Sequence, residues 1–166
     1  MPLDALRNSL LAARDRRQAL LEAWFPAPAP VQATVMLSLN LPGDEKIGER
    51  AERLFRWGEG ILLEALPILE AFKKSDPLGP FALYRTETDS RAAKLLAISL
   101  ESGHPAGRLL DLDIYDPWGR PVSRAGLELA PRTCLICTEP ALACIRAQRH
   151  TSEALKARAH MVIDAL

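Results

Sequence analysis

Between Leu110 and Tyr115 apolar and polar residues alternate without a slip: Leu110-Asp111-Leu112-Asp113-Ile114-Tyr115. Successive side chains of an extended chain point to opposite faces. The spacing therefore predicts a strand over 108–115 with Leu110, Leu112 and Ile114 in a core. Asp111, Asp113 and Tyr115 share the other face. Asp116-Pro117-Trp118-Gly119 ends the strand in a strong turn.

The rest of the chain arranges itself around that strand. Residues 4–24 read as a helix capped by Asp4, with Leu6, Leu10, Leu11, Ala13 and Leu20 as its apolar stripe. Prolines 26, 28 and 30 stop it. Val31 to Leu41 reads as a strand, broken at Pro42-Gly43-Asp44. A long helix should begin there, since Ile47, Ala51, Leu54, Phe55, Gly58, Ile61, Leu62 and Ala65 recur at the helical period, and Pro67 should end it. Residues 80–87 and 92–101 read as a strand pair, and 122–129 as a short returning strand. Residues 138–149 and 151–165 read as helices, the last capped by Thr151 or Ser152. This order predicts an α+β fold over 1–166 as a single domain, a mixed or antiparallel sheet covered by helices.

Composition narrows the function. The 166-residue chain carries 21 basic and 21 acidic residues, which argues against broad nonspecific nucleic-acid binding. Sixteen of the 21 basic residues are arginine, the side chain suited to bidentate phosphate contact, although a coding bias explains the ratio as readily. The N-terminus does not resemble a secretory signal, and no apolar run is long enough to span a membrane. Three cysteines within eleven residues fit a reduced, cytoplasmic protein.

Asp111 and Asp113, roughly 7 Å apart along one strand face, can converge on Mg²⁺, which is commonly held by one or two carboxylates plus substrate phosphates. That chemistry serves phosphoryl and nucleotidyl transfer. An apolar-flanked Asp-x-Asp following a glycine resembles the polymerase-β-like nucleotidyltransferases. Their third carboxylate sits on a neighbouring strand, for which Glu87 and Glu101 are both candidates. The competing reading is a solvated strand face.

Upstream, His104-Pro105-x-Gly107-Arg108 leads into the acidic strand. Gly107 would let backbone approach a ligand, and Arg108 would clamp a phosphate oxygen. Arg120, Ser123, Arg124 and Arg132 add positive charge nearby. Ser38-Leu39-Asn40-Leu41-Pro42-Gly43 with Lys46 forms a strand–turn–helix junction whose helix N-terminus could receive an anion. Cys134, Cys137, Cys144 and His150 have zinc-ligand types. With 138–149 helical, however, Cys144 and His150 point to different faces, so buried reduced thiols are favoured over structural zinc.

Read in order, these pieces resemble the citrate lyase holo-acyl-carrier-protein synthase family, the apo-citrate lyase phosphoribosyl-dephospho-CoA transferases. The match runs through Arg14-Asp15-x-Arg17-Gln18, Ser38-x-Asn40-x-Pro42-Gly43-x-x-Lys46, Phe55-x-x-Gly58 and His104-Pro105-x-Gly107-Arg108-Leu109-x-Asp111-x-Asp113. It continues through Ser123-Arg124, Pro131-Arg132-x-Cys134-Leu135-x-Cys137, Ala143-Cys144-x-Arg146 and His150. The resemblance implies a triphosphoribosyl-dephospho-CoA donor, a serine on the apo acyl-carrier subunit of citrate lyase as acceptor, and diphosphate as leaving group. It places Asp111, Asp113 and Arg108 at the reacting phosphates with Mg²⁺. Gly107, His104, Asn40, Gly43, Lys46 and Arg124 would bind substrate. The rival readings are the same chemistry on a malonate decarboxylase-type carrier, and a non-enzymatic module stapled by zinc.

Overall fold

The structure is a computed structural model and describes residues 3–166. Helix α1 (Leu3–Ala23) leads to β1 (Ala33–Leu39), α2 (Glu49–Ala65), the β2–β3 hairpin (Glu70–Asp76 and Gly79–Thr86) and α3 (Ser90–Ser102). A 3₁₀ turn at Pro105–Leu109 delivers the chain into β4 (Leu110–Tyr115), and α4 (Ala141–Arg146) and α5 (Ser152–Asp164) follow. The cap expected at Asp4 and the packing of Leu6 lie outside the described side chains.

Four strands form one antiparallel sheet in the order β2-β3-β1-β4. The expected α+β fold is therefore present, and its sheet is wholly antiparallel. One face carries Ala33, Val35 and Leu37 of β1, Ala82 and Tyr84 of β3, and Leu110, Leu112 and Ile114 of β4. Against it pack Leu54, Phe55 and Leu62 of α2, Ala93 and Ala97 of α3, and Val162 and Ile163 of α5. At roughly 25 cal/mol per Å² of apolar surface removed from water, this layer is the main source of folding energy. The opposite face is crossed by α1. There Arg17 forks onto Asp76 at 2.8 Å and lies over the Phe81 ring at 4.2 Å, while Trp24 meets Phe72 and is stacked by Arg85.

Several expectations need correction. Residues 92–101 are helical, not a strand: Asp89 accepts hydrogen bonds from the Arg91 and Ala92 amides, and Ala93, Lys94, Ala97 and Glu101 fall on one helical face. Strand β2 carries little sequence signal because Glu70-Ala71-Phe72-Lys73-Lys74-Ser75-Asp76 is polar, as befits a charged edge strand. Helix α2 begins at Glu49, after Gly48, and not at Pro42-Gly43; Ile47 is exposed. The stretch 122–129 is not a strand: Pro121 bridges Tyr115, the Val122 amide donates to the Ile114 carbonyl, and Ala125–Leu127 form a 3₁₀ turn. The helix expected over 138–149 is confined to Ala141–Arg146, because Pro140 is its N-cap and Ala147 its C-cap.

Strand β4 is an edge strand, and four of its outward backbone groups are taken by non-strand partners. Glu101 accepts from the Leu112 amide at 2.9 Å, and Lys94 donates to the Leu112 carbonyl at 3.2 Å. Arg132 donates to the Leu110 carbonyl at 2.9 Å, and the Val122 amide to the Ile114 carbonyl at 2.8 Å. These bonds blunt the edge against pairing with another chain.

Candidate active site

The sheet register sets the site. Asp111 lies opposite Ser38 and Asp113 opposite Met36, so both carboxylates and Tyr115 share the face turned away from the core. Beyond that face stands α1, and the space between is a cavity of about 360 Å³. Asp111, Asp113 and Tyr115 line one wall; Arg14, Arg17 and Gln18 of α1 line another; Asn40 and Lys46 close one end.

Burial and mutual repulsion shape the acidic wall of this cavity. Burial, and then the neighbouring Asp111 carboxylate, raise the Asp113 pKa from 3.8 to about 6. Burial and the same two carboxylates push the Tyr115 hydroxyl up to about 12. Lys46 donates to the Leu41 carbonyl, and its burial lowers its pKa. Arg17 is committed to Asp76 and to the Gly79 carbonyl, so it frames the cavity. Arg14 is exposed and makes no hydrogen bond or ion pair among the described residues.

A second arginine cluster flanks Asp111 from the edge of β4. Buried Glu101 joins Arg124 at 2.9 Å and Arg132 at 2.5 Å, and the same Arg132 nitrogen lies 3.6 Å from Asp111. Glu101 therefore ties down arginines, and Glu87 is exposed after the end of β3. Arg120 pairs with Asp116 in the turn, and the Ser123 hydroxyl accepts from the Gly126 amide.

The motif before β4 divides. Arg108 turns toward a different cavity of about 520 Å³, shared with Asn40, Gly43, Leu109, Leu135, Ile145 and Leu155. Its Nε and Nη1 are buried without a hydrogen-bond partner, and burial lowers its pKa. Asn40 borders both cavities and so stands between Arg108 and the aspartates. His104 caps the 3₁₀ turn by accepting from the Ala106 amide at 3.1 Å, with its ring against Trp57. Gly107 does permit a close approach, but to α3: a Cβ there would sit 2.5 Å from the Leu100 carbonyl oxygen and 2.8 Å from that of Glu101. Gly107→Ala is accordingly expected to lower the thermal unfolding midpoint, by an overpacking cost of about 1–3 kcal/mol. An unchanged midpoint in calorimetry would mean that the turn shifts freely. Gly43 has φ +75 and supports the tight turn beside the larger cavity.

Cys134, Cys137, Cys144 and His150 come together, against the expectation from spacing. Their ligand atoms all lie within 4.8 Å of one another, a Cys₃His set able to hold a metal such as zinc. The short α4 is the reason: Cys137 and His150 stand outside it and curl back on Cys144. Pro140 is the sequence signal that would have truncated the helix. Arg14 and Gln18 were absent from the expected site residues, although α1 was visible. Anchoring of α1 on β2 and β3 through Arg17 sets Arg14 and Gln18 across the cavity from the aspartates.

Comparison with known proteins supplies the deciding observation. The model of the apo-citrate lyase phosphoribosyl-dephospho-CoA transferase family matches residues 6–166. The chain belongs to that family. It is 34% identical over 148 residues to the apo-citrate lyase phosphoribosyl-dephospho-CoA transferase of Escherichia coli O1:K1, covering 85% of this chain and 79% of the relative. The proteins of that name from strains E24377A and IAI1 match with the same identity and coverage. The chain is an enzyme of transferase type. Among the described residues no helix is long and apolar enough to cross a membrane.

Proposed function

We propose that this chain transfers the phosphoribosyl-dephospho-CoA group from 2′-(5″-triphosphoribosyl)-3′-dephospho-CoA to a serine of the apo acyl-carrier subunit of citrate lyase. The serine oxygen forms a phosphodiester with the donor's innermost triphosphate phosphorus. The bond to the outer two phosphates breaks, diphosphate leaves, and the serine proton is released. The reading rests on one observation above the others: Asp111 and Asp113 share a cavity with Arg14, Gln18, Asn40 and Lys46.

The residues fit a divalent cation. Two carboxylates on one strand face, Asp113 raised in pKa by burial and then by Asp111, form a pair that a hard cation would relieve. Asp111 and Asp113 would hold Mg²⁺, which when bound supplies Lewis acidity and charge neutralisation at the phosphates. The protein's own part is to place the donor. Lys46 and Arg14 face its triphosphate, and Arg132 limits repulsion at Asp111. Arg108, Gly43 and the apolar wall of the larger cavity receive the dephospho-CoA arm, with Asn40 between the two ends. Arg124 acts by fixing Glu101, and His104 by fixing the turn that carries Arg108. No nucleophile is required of this chain, because the carrier provides it.

The test is to mix the full-length chain, the donor and Mg²⁺ with purified apo citrate lyase carrier and to weigh the carrier. A gain equal to the donor less diphosphate is expected. Modification of a malonate decarboxylase carrier in its place would overturn the acceptor assignment. Arg14→Ala should raise the donor KM roughly tenfold or more, the loss of a charge-assisted contact, with its thermal midpoint unchanged. An unaltered KM would remove Arg14 from the donor site.

A further inference from the structure

We propose that Cys134, Cys137, Cys144 and His150 bind one structural Zn²⁺, which braces the wall of the larger cavity and supplies no group to the reacting phosphates. The four residues come from three pieces of backbone: the turn before α4, α4 itself, and the residue before the cap of α5. Only their side-chain tips converge. The Cys137 and Cys144 sulfurs are 3.4 Å apart, and His150 Nε2 is 3.4 Å from the Cys137 sulfur. A tetrahedral zinc with Zn–S of about 2.3 Å and Zn–N of about 2.0–2.1 Å requires ligand-to-ligand edges of roughly 3.5–3.8 Å. The observed set, all within 4.8 Å, needs only small adjustment to meet that.

Neither a disulfide nor plain apolar packing accounts for the cluster. A disulfide has its sulfurs about 2.05 Å apart, well short of the observed separation, and pairing any two thiols would strand the third beside an imidazole. Buried thiols acting as small hydrophobes would not direct a ring nitrogen at a sulfur. The backbone also has the form of a knuckle. The Ile136 amide points at the Cys134 sulfur at 3.5 Å, and the Cys134 amide donates to the Glu139 carbonyl at 2.7 Å. The Ala141 amide donates to the Arg132 carbonyl at 2.9 Å and closes the loop. Such amide-to-sulfur contacts orient thiolates and stabilise their charge.

Four protein ligands leave no open coordination position, so the site is structural and not catalytic. Three thiolates, a neutral imidazole and Zn²⁺ sum to one negative charge. Arg108, with two unpartnered buried N–H groups, lines the same cavity as Cys134, Cys144 and His150 and balances it. The clip would fasten the segment carrying Arg132 and the outer wall of the larger cavity. Apart from Leu135, which packs on the main core, residues 131–150 contribute little to that core, and the clip would supply their order.

The experiment uses the full-length chain as purified, without added chelator. Elemental analysis should find about one zinc per chain, and titrating the thiols with an organomercurial should release it in step, detected by a zinc indicator dye. Cobalt replacement should give the intense visible bands of tetrahedral thiolate coordination. Cys137→Ser and His150→Ala should lose most of the zinc, while Asp113→Asn, outside the cluster, should keep it. If the two cluster variants fail to fold, the mercurial release from the unaltered chain still decides the matter. Metal-free protein whose three thiols react at once, before and after dialysis against zinc, would overturn the proposal. So would stoichiometric iron, or zinc retained in full by both cluster variants.

Discussion

Asp113→Asn is expected to abolish transfer and to stabilise the protein in the same stroke. Removing a metal-holding carboxylate should cost about a hundredfold or more in transfer rate. Stability moves the other way. The Asp113 pKa is raised from 3.8 to about 6 in the folded chain, so the native state binds this proton more tightly than the unfolded state. Below the unfolded value both states are protonated and nothing is lost. As pH rises through the window between the two values the unfolded chain releases its proton first, stability falls, and above about 6 the loss is complete. A rise of that size corresponds at most to about 3 kcal/mol. Water in the open cavity reduces that to about 1–2 kcal/mol, or roughly 3–6 °C at this chain length. Asparagine imitates the protonated acid, so its gain should be present at pH 7.5, vanish near pH 4 and shrink when Mg²⁺ saturates the unaltered enzyme. Paired calorimetry and carrier mass measurements read both effects. Near-normal turnover would refute the assigned role, and an identical midpoint at both pH values would refute the electrostatic account.

That combination distinguishes a functional carboxylate from a structural one. A salt-bridged aspartate such as Asp76 is depressed in pKa by its partner Arg17, and deleting it can only destabilise. Asp113 has no cation within ion-pairing distance among the described residues; the guanidinium of Arg132 is spent on Glu101, Leu110 and the edge of Asp111. Asp113 thus keeps a raised pKa with no side-chain ion pair among the described residues, a pattern enriched at functional sites.

The carboxylate pair was legible because a strand's two-residue period is unambiguous: Leu110 to Tyr115 admits one assignment of faces, and the sheet register places both aspartates on the outer one. The apolar helices α2 and α5 were equally readable, one from its stripe and its Pro67 boundary, the other from its Thr151 cap. What escaped depends on partners distant in sequence. Residues 92–101 carry strand-forming Leu and Ile, yet the Asp89 cap and the burial of Ala93 and Ala97 against β4 decide for a helix. Strand β2 has almost no apolar signal, because an edge strand needs only β3 beside it. Arg14 was visible as part of the Arg14-Asp15-x-Arg17-Gln18 match, but its place across the cavity from the aspartates depends on how α1 packs on the sheet. The Cys₃His group was visible as residue types and hidden as geometry, since a helix drawn through Pro140 to residue 149 puts His150 on the wrong side.

Glu101→Ala should be the most destabilising single substitution in the neighbourhood of the site. The side chain is 3% exposed and does three things at once: it accepts from the Leu112 amide at 2.9 Å and pairs with Arg124 at 2.9 Å and Arg132 at 2.5 Å. Alanine would leave an edge-strand amide without its acceptor and two half-buried guanidinium groups without their anion. Breaking a buried pair by removing one partner costs about 3–5 kcal/mol. Both arginines keep some contact with water and recover part of their solvation, which favours the lower end, about 3 kcal/mol, or roughly 6–12 °C in midpoint. Glu101→Gln should fall between, because the amide oxygen still serves Leu112 while the charge is gone. Arg132, released from Glu101, would be free to close on Asp111. Its full charge would then compete with the cation for that carboxylate, so the Mg²⁺ concentration needed for half-maximal transfer should rise in the Gln variant, with donor KM little changed. A Gln variant with normal Mg²⁺ dependence would show that Glu101 braces the strand edge without tuning the aspartates. An Ala variant melting with the unaltered chain would show that the two arginines hold β4 without it.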